Sequence, residues 1–119
     1  MERVRFISHQ NQRVLLLDLT AASLADITMV IEESSSIIQR ASLHSLLTLT
    51  DVTNIVVRDV STRQLMDFMR GNKPFVKAAA VVGVAGIARS ILATTNLVTG
   101  RSLKAFETRG QALDWLVSL

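Results

Sequence analysis

The residues best suited to chemistry in this chain are two aspartates. Asp18 lies near the end of the run VLLLDL and Asp51 follows LLTLT, so each stands where an apolar, strand-like stretch gives way to a turn. Open α/β sheets bind ligands beyond the carboxyl ends of neighbouring parallel strands, and two carboxylates meeting there are suited to acid and base work. A structural role is the stronger expectation. An aspartate after a strand commonly accepts backbone N–H bonds from its own turn, and no nucleophile, histidine or metal-ligand set accompanies these two.

The second candidate is GVAG, residues 83–86, which follows strand-like residues and precedes a helical pattern with Arg89 in its first turn. Gly83, Gly86 and Arg89 there would offer backbone N–H groups and a positive helix end to an anion. The GxxxxGK[ST] and GxGxxG spacings of nucleotide sites are both absent. A tight turn with close helix packing is therefore expected, with a bound phosphate or similar anion as the sharper alternative.

Composition narrows the classes further. There is no cysteine, and His9 and His44 fall in expected loops without a Cys or His partner nearby, so neither a metal nor a cofactor is expected. The start MERVRF has no signal-like apolar core, and the apolar run 76–97 is broken by Lys77, Arg89 and two glycines before it reaches the length of a membrane span. The chain reads as soluble and cytoplasmic. Its net charge of +3 comes from 13 basic and 10 acidic residues scattered along the sequence, and aromatics are 4%, unlike the basic stripe with stacking residues that binds nucleic acid.

These residues must be positioned by a regular alternation of elements. Residues 3–7 alternate as a half-buried strand and HQNQ follows as a turn, so a hairpin into the strand 14–19 is expected. Ser23 and Asp26 form a capping box ahead of Ile27, Val30, Ile31, Ser34, Ile37 and Ile38 at helical spacing. Residues 46–50 make the next strand. A helix capped by Asp59 or Ser61 follows, with Gly71 and Pro74 as its stop signal. Residues 76–82 form a strand, a third helix runs to Gly100, residues 103–106 form the last strand, and Thr108 with Gln111 opens a helix bearing Ala112, Trp115, Leu116 and Leu119. The order β-β-α-β-α-β-α-β-α implies one α/β domain over residues 1–119 with a mostly parallel sheet of about five strands, its first strand antiparallel at the edge.

That order, with the Asp51 loop leading into the second helix, resembles the STAS domain of bacterial anti-sigma-factor antagonists and sulfate transporters. The stretches LLLDLT, SLLTLTDVTN, KPFVKAAAVVGVAG and LKAFETRGQALDWL carry the likeness, which is closest to small stand-alone bacterial members. The resemblance implies strands wound in sequence, helices mainly on one face, and a loop in which Asp51 is followed, after about seven residues, by Asp-Ser-x-Gly with a phosphorylated serine. Laid on this chain, the pattern puts its second Asp on Asp59, its serine on Val60 and its glycine on Thr62. The phosphoacceptor is absent, and Ser61, one position later, is explained by its capping box with Gln64.

Strand alternation suggests one helix-covered face holding Val4, Phe6, Leu47, Leu49, Ala78, Ala80, Leu103 and Ala105. The opposite face would then collect Arg3, Arg5, Lys77 and Lys104 among apolar residues, a candidate surface for a protein partner or for self-association. The function expected is a non-enzymatic STAS-like interaction or regulatory module. The alternative is a small-molecule or lipid carrier, with a cavity lined by Val56, Val57, Ile87 and Leu92.

Overall fold

The computed structural model describes residues 2–55, 67–68, 71–84 and 103–119. Within them lie β1 (Val4–His9), β2 (Gln12–Asp18), α1 (Leu24–Ile38), β3 (Leu46–Asp51), β4 (Val76–Val82), β5 (Leu103–Phe106) and α2 (Arg109–Val117). The five strands form one sheet in the order β1-β2-β3-β4-β5. β1 pairs antiparallel with β2 at the edge, and every later pairing is parallel. Most of the expected second helix and all of the third lie outside the described residues.

Local chemistry accounts for the elements. The β1–β2 hairpin closes through Gln10 and Asn11, whose φ of 50° and 66° are the two positive values that a tight two-residue turn needs. The strands therefore run to His9 and restart at Gln12, longer than the HQNQ turn suggested. Ser23 caps α1 in a reciprocal box with Asp26, as its spacing predicted. Gly71 departs from expectation. It does not stop a helix, since Gly71 and Asn72 are both helical, and the chain tightens into a 3-10 turn at Lys73–Phe75 before β4. Pro74, lacking an N–H, suits the start of that turn and cannot extend a longer helix.

Two apolar layers hold the sheet, and β2 divides its side chains between them. Leu15 and Leu17 pack with Val4, Ile27, Val30 and Ile38 of the α1 side, whereas Val14 and Leu16 pack with Leu47, Leu49, Ala80, Ala112 and Leu116 of the α2 side. Because neighbours along a strand point to opposite faces, α1 and α2 cover opposite faces. Ser34 is fully buried on the α1 stripe and returns its hydroxyl to the Val30 carbonyl at 2.5 Å, so a small polar residue sits there without an unmet bond.

The sheet register corrects the face assignment made from alternation. Val4 is level with Leu17, which is level with Thr50, while Leu16 is level with Leu49, Ala80 and Lys104. Val4 and Phe6 thus share the α1 face with Ala105, whereas Leu47, Leu49 and Ala80 face α2. Alternation sets the phase within one strand and leaves the phase between strands to pairing; the irregularity between Leu46 and Leu47 shifts it again.

Candidate functional site

The carboxyl ends of β2 and β3 bring Asp18 and Asp51 level with each other in the parallel ladder. Each then builds the same turn. The Asp18 carboxylate accepts the Thr20 N–H at 3.0 Å, and Asp51 Oδ1 accepts the Thr53 N–H at 3.0 Å and its hydroxyl at 2.6 Å. The following residues, Ala21 and Asn54, both have positive φ, at 50° and 62°. The sequence repeat DLTA and DVTN is the signal of this shared geometry, and it is visible only once the two segments are aligned.

The backbone carries the ladder past the strands. Leu19 N–H donates to the Asp51 carbonyl, Ala21 N–H to the Thr53 carbonyl and Val52 N–H to the Val82 carbonyl, each at 2.8 Å. Gly83 makes the third turn of the row, with φ of 85°. A Cβ at this glycine would fall 2.6 Å from the Thr53 nitrogen and 2.7 Å from its Cα, so the β4 turn can approach the β3 turn only without a side chain.

Arg109, the first residue of α2, closes the group. Its Nε donates to Asp51 Oδ2 at 2.7 Å and its guanidinium lies 3.4 Å from Asp18 Oδ1. The carboxylate of Asp51 is 8% exposed and that of Asp18 15%, against 36% for the Arg109 side chain. Burial is the largest single influence on Asp51 and opposes its ionisation, yet the Thr53 bonds and Arg109 together outweigh it and hold the carboxyl below the ordinary aspartate range. Asp18 is held down in the same way, by Thr20 and Arg109 against burial. Arg109 is itself desolvated, but its two carboxylates raise its pKa. The cluster is a clamp joining three elements, in which one guanidinium is shared by two carboxylates and the described bonds of the carboxylate oxygens are directed inward.

Arg109 went unrecognised in the sequence. The available clue was a cation at the start of a helix just beyond a strand end, which gains meaning only when β5 is placed two strands from β3.

The remaining predicted residues divide as follows. Asp59, Val60, Ser61 and Thr62 of the loop expected beside Asp51 lie outside the described residues, as do Gly86 and Arg89 of the anion turn and the Val56, Val57, Ile87 and Leu92 of the expected cavity. The four cations of the proposed basic face are engaged in different ways. Arg3 donates to the Asp18 and Thr20 carbonyls, both at 3.1 Å, and meets Asp26 in the first turn of α1 at 3.4 Å, so it is a brace for the β2–α1 connection. Arg5 and Lys104 point to the α2 side, where Lys104 Nζ sits 5.4 Å from the Trp115 ring. Lys77 reaches the Leu119 carbonyl at 3.4 Å. His9, expected in a loop, instead ends β1 and meets Asp114 of α2 at 2.8 Å.

Among the described residues no group of three His, Cys, Asp or Glu side chains is arranged to hold a metal ion. Among them also, no helix is long and apolar enough to cross a membrane. Compared with protein-family models, with curated proteins and with solved structures, the chain finds no match in any of the three.

Proposed function

We propose that this chain is a non-enzymatic STAS-like module that works by binding another protein, in the cytoplasm of a bacterium. The observation that carries the non-enzymatic part is the Arg109 clamp. Asp18 and Asp51 are the carboxylate pair at the sheet's ligand-binding end, and both are committed to Thr20, Thr53 and Arg109 with their pKa values pushed down. A carboxylate held ionised by an adjacent guanidinium is a poor proton donor and a weakened base. The sequentially wound sheet with an antiparallel first strand agrees with the architecture that the resemblance implies, whereas the two described helices cover opposite faces and not one. Because Val60 and Thr62 stand where the resemblance places serine and glycine, the module is read as acting without the phospho-switch.

Capture of the tagged chain from its native host, followed by mass spectrometry of what comes with it, tests this reading. A stoichiometric protein partner is the expected result. A bound metabolite or lipid in the native mass spectrum, with no protein, overturns it in favour of a carrier.

A further inference from the structure

The outer edge of the sheet carries a more specific assignment, which rests on the reading of the chain as an interaction module. β1 is the edge strand, and one bond sets its phase: Asp18 N–H donates to the Arg3 carbonyl at 2.7 Å. Arg3 and Asp18 are therefore a hydrogen-bonded pair of the antiparallel ladder, and such pairs alternate with non-bonded ones. Following the register, Arg5, Ile7 and His9 exchange their bonds with Leu16, Val14 and Gln12. Val4, Phe6 and Ser8 turn their N–H and C=O groups outward. Among the described residues nothing pairs with them, since the sheet ends at β1.

The side chains along that edge select by charge. Arg5 is exposed on the α2 face, and among the described residues its guanidinium bonds the Glu2 carbonyl alone, at 3.2 Å. Arg13 is exposed on the α1 face and reaches across from β2 to lie 4.1 Å over the ring of Phe6, itself 36% exposed. Neither arginine is in an ion pair among the described residues, in contrast to Arg3 and Arg109. An edge strand is usually guarded against pairing by charges, and guards of one sign admit a strand of the other. A second copy of this chain fits poorly, because two like edges would bring their arginines together.

We propose that β1 takes an extended acidic segment of another protein as a sixth strand. Its backbone bonds Val4, Phe6 and Ser8, its carboxylates meet Arg5 on one face and Arg13 on the other, and an apolar side chain covers Phe6. Backbone pairing supplies affinity in this mode and the alternate side chains supply selectivity.

Backbone amide exchange by NMR on the intact chain tests the assignment, with the peptide Glu-Glu-Val-Val-Glu-Glu-Val-Val, which as a strand sets glutamate and valine on both faces, as probe and its counterpart with Lys for Glu as control. In the free protein the amides of Arg5, Ile7 and His9 are expected to exchange slowly and those of Val4, Phe6 and Ser8 fast. The acidic peptide is expected to slow the outward set and the basic peptide to leave it unchanged. R5E combined with R13E should weaken the effect by roughly tenfold or more, and added salt should weaken it too. S8P provides a second variant: proline is tolerated where an edge N–H points outward, so the sheet should persist while the peptide's effect is lost.

Fast outward amides that neither peptide protects, or equal protection by both, overturn the proposal. So does protection that grows with protein concentration alone, which would mean β1 pairs with a second copy. A native partner that binds the S8P and R5E/R13E variants undiminished would remove the edge site and leave the interaction module standing.

Discussion

Arg109 Nε lies 2.7 Å from Asp51 Oδ2 although 58 residues separate them, and the same guanidinium reaches Asp18 Oδ1 at 3.4 Å. One side chain at the start of the last helix thus ties together the carboxylates at the ends of two strands formed early in the chain. Removing it by R109M is expected to destabilise the fold by about 2 kcal/mol, below the range for a fully buried pair because the guanidinium is partly hydrated. R109K should fall between, since an ammonium cannot serve both carboxylates with a fixed fork. Urea melts of the three proteins check the order, and an R109M protein as stable as the parent would refute the clamp.

The clamp also fixes an acid limb. Asp18 and Asp51 have folded-state pKa values below their unfolded ones, so their contribution is complete above an unfolded pKa of about 4 and disappears as pH falls through the lower folded values. Stability should accordingly be flat on this account from neutral pH to about 4 and decline below it. In D51N the decline should be shallower, with stability already reduced at pH 7. Chemical denaturation at a series of pH values checks both, and an unchanged acid slope in D51N would count against the assignment.

Gly83 and Ala21 both stand at positive φ, so adding a Cβ at one and removing it from the other should have opposite signs. G83A places a Cβ against the Thr53 backbone at a φ of 85°, and a loss of about 3 kcal/mol is expected. Adding T53A should not rescue it, because Thr53 N and Cα remain in the way. A21G removes the Cβ from an exposed residue at φ 50° and should stabilise by about 0.5 kcal/mol. Thermal melts that gave both variants the same sign would contradict the turn geometry.

Ile27 and Leu116 are both fully buried, one under α1 and the other under α2. I27A and L116A are each expected to cost about 2–5 kcal/mol. With the sheet between them, the double variant should cost the sum within about 0.5 kcal/mol. Strong coupling in a denaturation cycle would mean that the two layers are not separate.

What the sequence determined by itself was local and periodic. Strands at residues 46–50, 76–82 and 103–106, the first of which the structure extends to Asp51, the Ser23–Asp26 capping box and the antiparallel first strand all follow from side-chain alternation, capping spacing and turn chemistry, which need only a few neighbouring residues. The turn role of Asp18 and Asp51 was legible for the same reason. Tertiary structure decided whatever depends on how strands lie against one another. The phase between strands divided the expected face into two layers, turned Arg3 into a brace, and left Arg5 and Arg13 at the edge without an ion pair among the described residues. It also delivered Arg109 to Asp51. A side chain at residue 109 acquires its partner from the stacking order of β3, β4 and β5, and that order arises from backbone pairing and core burial over the whole sheet.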